Sequence, residues 1–278
     1  MSEGARVRDL LRAGGDGNAI LPGIDPRDTP GVDDRATAEA AIPGLADRVD
    51  HLQERLWVEG TRSLLVVLQG MDTSGKGGTV RHVFSSMNPA GVDVASFKKP
   101  TDEELQHDFL WRIERRLPAA GQVMVFDRSH YEDVLIVRVR SLVPEAVWRP
   151  RYREIVEFEE RVASAGTTIV KCMLHISYDE QRERLLARLD DPEKHWKFHE
   201  GDLEERRRWQ DYQAAYEEAI RECSTDTAPW FVVPSDRKWY RNWAVSSLLV
   251  ETLEAIDPQL PQPGLDVAAL KARLQPPN

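Results

Sequence analysis

Leu64-Leu65-Val66-Val67-Leu68-Gln69-Gly70-Met71-Asp72-Thr73-Ser74-Gly75-Lys76-Gly77-Gly78-Thr79-Val80-Arg81 decides the fold of this chain. A short unbroken apolar run, a glycine-bounded loop and helix-like sequence after it read as the strand, loop and helix of a phosphate cradle. Gly70, Gly75, Gly77 and Gly78 let the backbone turn tightly and aim successive N–H groups at an oxyanion. Lys76 adds positive charge, and the N-terminus of the helix starting there favours a phosphate further. Gly70-x-x-x-x-Gly75-Lys76 has the Walker A spacing. Gly77, however, stands where Ser or Thr ordinarily offers magnesium a hydroxyl, which leaves Thr79 as the substitute. Asp72 brings a carboxylate into the loop itself. Thr73, Ser74 and Arg81 complete the phosphate-binding candidates. A glycine-rich turn with one solvated lysine is the bland alternative, and the flanking strand and helix argue against it.

The chain has 278 residues, 41% of them hydrophobic, enough for one large α/β domain and not for a second full one. Its net charge of −10 speaks against nonspecific nucleic-acid binding, so a polyanionic ligand requires a concentrated cationic patch. Two cysteines, Cys172 and Cys223, form no disulfide framework or metal cluster. No apolar run reaches membrane-spanning length, and Met1-Ser2-Glu3-Gly4 opens no signal core, so a cytoplasmic location without membrane partners is expected.

Residues 1–44, rich in Gly, Pro and Asp, predict an irregular arm with little core of its own. An amphipathic helix follows from Leu45 to Leu56. Further strands are expected over Val92–Phe97, Val123–Phe126, Thr167–Leu174 and Trp230–Val233. Helices are expected from Thr101 with Leu105, Phe109, Leu110, Ile113 and Leu117 inward, then over Trp148–Val162, Tyr178–Leu189, Asp202–Arg221 and Arg237–Ile256. This alternation predicts a parallel sheet with helices on both faces and ligands at the carboxyl ends of its strands. The main domain is placed at 45–256, with a lid at about 178–203 and a tail at 257–278.

Asp127 follows four apolar residues, where P-loop enzymes carry a magnesium-holding carboxylate; a helix cap or turn is the alternative. Asp72 and Asp127 are therefore the candidate metal pair. Arg128 is suited to bidentate phosphoryl binding, or to a surface ion pair. Arg184 and Arg188 lie four residues apart on one helix face and read either as lid arginines over phosphates or as a solvated face. Lys194 and Lys197 extend that cationic edge, with Trp196 and Phe198 docking the loop on the core. Arg206-Arg207-Arg208 reads as charged helix surface, and the seven histidines show no metal-ligand spacing.

The loop motif, together with Phe97-Lys98-Lys99-Pro100, Asp127-Arg128-Ser129-His130-Tyr131-Glu132 and Trp239-Tyr240-Arg241-Asn242, resembles the second family of polyphosphate kinases over residues 45–256. The resemblance implies a thymidylate-kinase-like P-loop fold and magnesium-dependent phosphoryl transfer between inorganic polyphosphate and a nucleotide. It makes Gly77 normal at its position. It casts Asp72 and Asp127 as magnesium holders, Lys76 and Arg128 as neutralisers of the transferring group, and the Arg184/Arg188 segment as the cover. Lys98, Lys99 and Glu132 join the phosphate and nucleotide set. Glutamate at 132 resembles members that accept monophosphates as well as diphosphates, so AMP and ADP are expected acceptors, with GMP and GDP second. A homodimer or homotetramer is implied. An ATP-dependent P-loop kinase and a non-catalytic nucleotide-binding protein are the alternative readings.

Overall fold

The computed structural model describes residues 6–14 and 20–274; the parts of the expected arm and tail at 1–5, 15–19 and 275–278 lie outside them. Strands β1 (Ser63–Gln69), β2 (Val92–Ser96), β3 (Val123–Asp127), β4 (Thr167–His175) and β5 (Trp230–Pro234) form one parallel sheet in the order β2-β3-β1-β4-β5. This is a P-loop kinase-like fold. Central β1 pairs with β3, Leu68 opposite Asp127, and with β4, Gln69 opposite Met173. Every residue of β1 is buried, which explains an unbroken apolar run where a half-exposed strand would alternate.

Strand periodicity divides the core in two. Leu65 and Val67 join Met124, Phe126, Ile169, Met173 and Val232 on one face, under helices Arg151–Ser164 and Trp209–Cys223. Leu64, Val66 and Leu68 join Val125, Val170, Cys172 and Val233 on the other, under helices Arg35–Glu59 and Lys238–Ile256. Each such side chain contributes about 1.5–3 kcal/mol on burial, so the sheet is pinned from both sides. The strand tips, and the loops they carry, inherit that rigidity.

The amino-terminal expectation needs correcting. The first long helix begins at Arg35, ten residues before Leu45, and runs through Pro43-Gly44. Asp34 caps it, its carboxylate accepting from the Thr37 N–H at 2.8 Å. Ala41, Ile42 and Leu45 pack against the second core, offsetting the backbone bond that Pro43 removes. Residues before it also have core: Val7, Leu11 and Leu21 are buried, and Ala13 N–H donates to the Trp230 carbonyl.

The helix expected from Thr101 is likewise broken. Thr101 and Glu104 cap each other's N–H groups, but only a 3₁₀ turn, Glu104–Gln106, follows. Asp108 then caps Leu110 and starts a separate short helix, Trp111–Glu114, leaving Leu105 65% exposed. The expected helix at 202–221 is two helices, Gly201–Arg207 and Trp209–Cys223. Among the described residues no helix is long and apolar enough to cross a membrane.

Candidate active site

The loop between β1 and helix Lys76–Val83 lies at the carboxyl edge of the sheet. Its first glycine is sterically required: Gly70 has φ 150°, and a methyl there would meet the Leu174 carbonyl and Ser74 Oγ at 2.6 Å. Lys76 is buried and turns back over the loop, donating to the carbonyls of Gly70 at 2.6 Å and Met71 at 3.3 Å. Burial and the neighbouring Arg128 push its pKa down, while Asp72, Asp127 and Glu132 oppose the shift. Thr73 Oγ1, Ser74 Oγ and Thr79 Oγ1 are buried hydroxyls without hydrogen-bond partners among the described residues. Three such groups, two in the loop and Thr79 in the first turn of the helix after it, cost about 1–3 kcal/mol each, and a phosphate is the natural acceptor for them.

Asp127 ends β3, half-buried. Arg128 follows in the left-handed region at φ 64°, as does Thr73 at φ 67°, each an arrangement costing about 1–3 kcal/mol. Arg128 is held there by its N–H on the Leu68 carbonyl and by its Nη2 on Asp72 Oδ1 at 2.9 Å. Burial works against its charge, but Glu132, Asp72 and Asp127 raise its pKa and keep it protonated. Burial pushes the Glu132 carboxyl up, against Arg128 and Lys76, which pull it down. Gln69, with its amide oriented to satisfy both ends, donates to Glu132 Oε1 at 3.2 Å and accepts from Ser129. Asp72, Lys76, Asp127, Arg128 and Glu132 thus form one electrostatic cluster around the loop.

The lid residues behave differently from expectation. Arg184 does not reach toward open phosphate space. Its guanidinium donates to the carbonyls of Thr73 (2.8 Å), Ser74 (3.2 Å), Ser235 (2.6 Å) and Asp236 (2.9 Å), and pairs with Glu180 at 2.6 Å. Gln181, fully buried, donates to the Asp72 carbonyl at 3.2 Å. Helix Tyr178–Leu189 is therefore clasped to the outside of the loop. Arg188 donates to the Lys197 carbonyl and pairs loosely with Asp202 at 3.5 Å. Lys194 pairs with Asp191. Lys197 lies over the Trp196 ring, which is 73% exposed and does not dock on the core. Arg206, expected as surface, donates to Gln181 Oε1 and the Tyr178 carbonyl.

Elsewhere, Lys98 and Lys99 are exposed beyond β2, with the Lys98 carbonyl accepting from Arg112. Arg81 and Gly77 are exposed on the loop helix, and Gly78 is half-buried. Two residues were given no role by the sequence. Tyr216, from helix Trp209–Cys223, is buried within electrostatic reach of Glu132, Arg128 and Asp72; its spacing with Tyr212 reads as core. Arg241 packs against Gly75 and Gly78, a position that spacing alone does not reveal.

The Polyphosphate kinase 2 (PPK2) family model matches residues 33–261. The chain belongs to this family. The AMP/ADP-polyphosphate phosphotransferase of Meiothermus ruber is 55% identical over 249 residues, covering 89% of this chain and 93% of its own. The ADP-polyphosphate phosphotransferase of Rhodopseudomonas palustris is 46% identical, covering 78% and 79%. The crystal structure of polyphosphate kinase 2 from Arthrobacter aurescens TC1 superposes with a TM-score of 0.93 at 49% identity, covering 97% of this chain and 96% of that one. As a polyphosphate kinase 2, the chain is a transferase, and its loop departures from Walker A are read in that light.

Proposed function

We propose that this chain transfers a phosphoryl group between inorganic polyphosphate and adenine nucleotides, accepting AMP as well as ADP and giving ADP and ATP. The observation that carries this reading is the Asp72–Arg128 ion pair at the mouth of the loop, beside the Thr73, Ser74 and Thr79 hydroxyls that have no partner among the described residues. A carboxylate inside the loop suits a polyanionic donor, because it holds the arginine in place until phosphate oxygens compete for it. The activity named for the Meiothermus ruber relative supports the dual acceptor.

Phosphoryl transfer of this kind proceeds through a loose transition state, so positioning and charge do the catalysis. Lys76 and Arg128 neutralise the charge on the transferring group, and the loop hydroxyls of Thr73, Ser74 and Thr79 orient its oxygens. Magnesium fits the donor set: Asp72 and Asp127 are hard oxygen ligands acting on the same lysine and arginine. Magnesium needs few protein ligands, because it keeps several waters and takes the rest of its shell from phosphates. When bound, it would add further charge neutralisation across the phosphate oxygens.

We assign residues 178–203 as the lid of a phosphotransferase domain that takes in the whole first long helix from Arg35 and runs to Ile256, with Lys98, Lys99, Arg188, Lys194 and Lys197 as cations facing the substrates from their exposed or half-exposed positions. We place the enzyme in the cytoplasm, where free thiols such as Cys172 and Cys223 persist, and as a homodimer or homotetramer.

The test crosses two donors, long-chain polyphosphate and ATP, with AMP, ADP, GMP and GDP in the presence of magnesium. ATP from ADP and ADP from AMP, both driven by polyphosphate, are the expected products. Turnover with ATP alone would favour an ordinary nucleotide kinase, and no turnover a binding protein. Glu132 sets the acceptor: its carboxylate beside Arg128 supplies the negative charge that a diphosphate's extra phosphate would otherwise bring. Glu132→Asn is expected to lower kcat/KM for AMP by about tenfold or more while ADP is little changed. Equal losses for the two acceptors would remove Glu132 from acceptor choice.

A further inference from the structure

Arg241 lies one turn into helix Lys238–Ile256 and is only 3% exposed. Its head sits on the loop: a methyl built on Gly75 would overlap the guanidinium, and one on Gly78 would lie 3.2 Å from Nη2. Nε and Nη2 donate to the Asn242 side-chain oxygen, a neutral partner, at 3.3 and 2.8 Å. Nη1, the amine nearest Gly75, makes no hydrogen bond among the described residues. Among the described residues no carboxylate offsets this charge. Burial, followed by the like charge of Arg184, brings the guanidinium pKa down to about 10. Lys238, mostly exposed at the start of the same helix, has its pKa lowered by the partial desolvation of its ammonium and then by Arg184, with Arg241 and Lys194 adding to the repulsion and Glu180 opposing it.

A buried cation facing cations is unfavourable unless an anion completes it, because desolvation alone costs several kcal/mol. The place of this charge says which anion. It abuts the junction where the loop becomes a helix, with Lys76 on the next residue. An ATP donor would have to carry an uncharged nucleoside away from such a loop, whereas a condensed phosphate carries charge at every unit.

We propose that Arg241 is a donor-binding residue that holds a phosphate of the polyphosphate chain remote from the transferred one, with Lys238 continuing the path outward at the rim. The planar fork of the guanidinium suits two phosphate oxygens at once, through Nη1 and an amine released from Asn242. The residue thereby favours a donor whose charge continues along the chain over one ending in a nucleoside. This rests on the polyphosphate-dependent activity proposed above.

The experiment compares wild type, Arg241→Met, Arg241→Lys and Lys238→Ser with long-chain polyphosphate, tripolyphosphate and ADP, alongside thermal melts with and without polyphosphate. For Arg241→Met, the KM for long-chain polyphosphate is expected to rise by about tenfold or more, the scale of one lost charge-assisted contact. The KM for ADP stays near wild type. The melting temperature without ligand holds or rises, because a buried charge without a counterion has been removed, while the rise on adding polyphosphate shrinks. Arg241→Lys falls between, and Lys238→Ser, at an exposed site, weakens long-chain polyphosphate more than tripolyphosphate. An unchanged polyphosphate KM overturns the proposal, as does a matching loss for ADP, which would make the nucleotide the ligand. A fall in melting temperature with unaltered polyphosphate binding would make Arg241 a strut for the loop and equally overturn it. Wild type inert to polyphosphate sinks the underlying activity; wild type responsive and Arg241→Met equally so sinks only this assignment.

Discussion

Lys76→Ala is expected to lower turnover by at least about 10²-fold, the scale of losing one preorganised electrostatic contact, while the protein remains folded. The ammonium is buried and, among the described residues, hydrogen-bonds only the Gly70 and Met71 carbonyls, so its charge is set toward the loop interior before any phosphate arrives. Burial and Arg128 already disfavour that charge, and three carboxylates only partly restore it. Folding therefore gains little from it, and the alanine variant should melt near the wild-type temperature. Asp72→Ala should lose turnover on the same scale for another reason: Arg128, in a left-handed backbone conformation, loses the carboxylate that holds its side chain at 2.9 Å. The decisive measurement is kcat with saturating polyphosphate and ADP, paired with a thermal melt. Near wild-type kcat in either variant would show that the loop charges do not act on the transferring group.

Lys171→Met is expected to destabilise the fold by about 3–5 kcal/mol, the consequence of leaving a buried carboxylate unpaired. Lys171 projects from the middle of β4 into the first core. It is wholly buried, and donates to Glu159 Oε2 (2.5 Å), the Tyr131 hydroxyl (2.8 Å) and the Cys223 carbonyl (2.7 Å). Glu159 also accepts from the Tyr131 hydroxyl at 2.9 Å and contacts His130 Nε2 at 3.1 Å. Burial opposes its charge, yet Lys171 and His130 hold its carboxyl below the ordinary 4.5. A carboxyl depressed in the folded state contributes stability that is present above the unfolded pKa and is lost as pH falls through the folded one. Wild type should accordingly lose this contribution only below about pH 4.5, and Lys171→Met should have lost it already at neutral pH. Urea unfolding at both pH values checks this. The double variant Lys171→Met/Glu159→Gln should recover most of the loss. Because His130 and Tyr131 share a turn with Arg128 and Glu132, the single variant should also turn over more slowly at temperatures where it is still folded.

Local chemistry made much of this legible. The strand–loop–helix from Leu64 to Arg81 and the apolar run ending at Asp127 are contiguous, so the order of residues nearly dictates their arrangement. The errors fall where distant partners decide. Pro43-Gly44 reads as a break, but the face presented to helix Lys238–Ile256 carries the helix through it. The helix expected from Thr101 has an authentic cap, yet Asp108 competes for the backbone two residues before Leu110 and ends the run early. Arg184 is on the predicted helix, but only the fold discloses that loop carbonyls consume its donors. Arg241 stands in the Trp239–Asn242 motif, but nothing in that motif places it on the loop, because its neighbours Gly75 and Gly78 lie more than 160 residues away in the chain.

The grip of Gln181 and Arg184 on the carbonyls of Asp72, Thr73 and Ser74 has a consequence for motion. The first two turns of helix Tyr178–Leu189 are bolted to the loop, so they cannot swing without deforming it. If the proposed lid opens and closes, the distal stretch after Arg188 would bear the motion, pivoting near Leu189–Asp191. Changes made there should alter how fast substrates come and go while the machinery beneath keeps its shape.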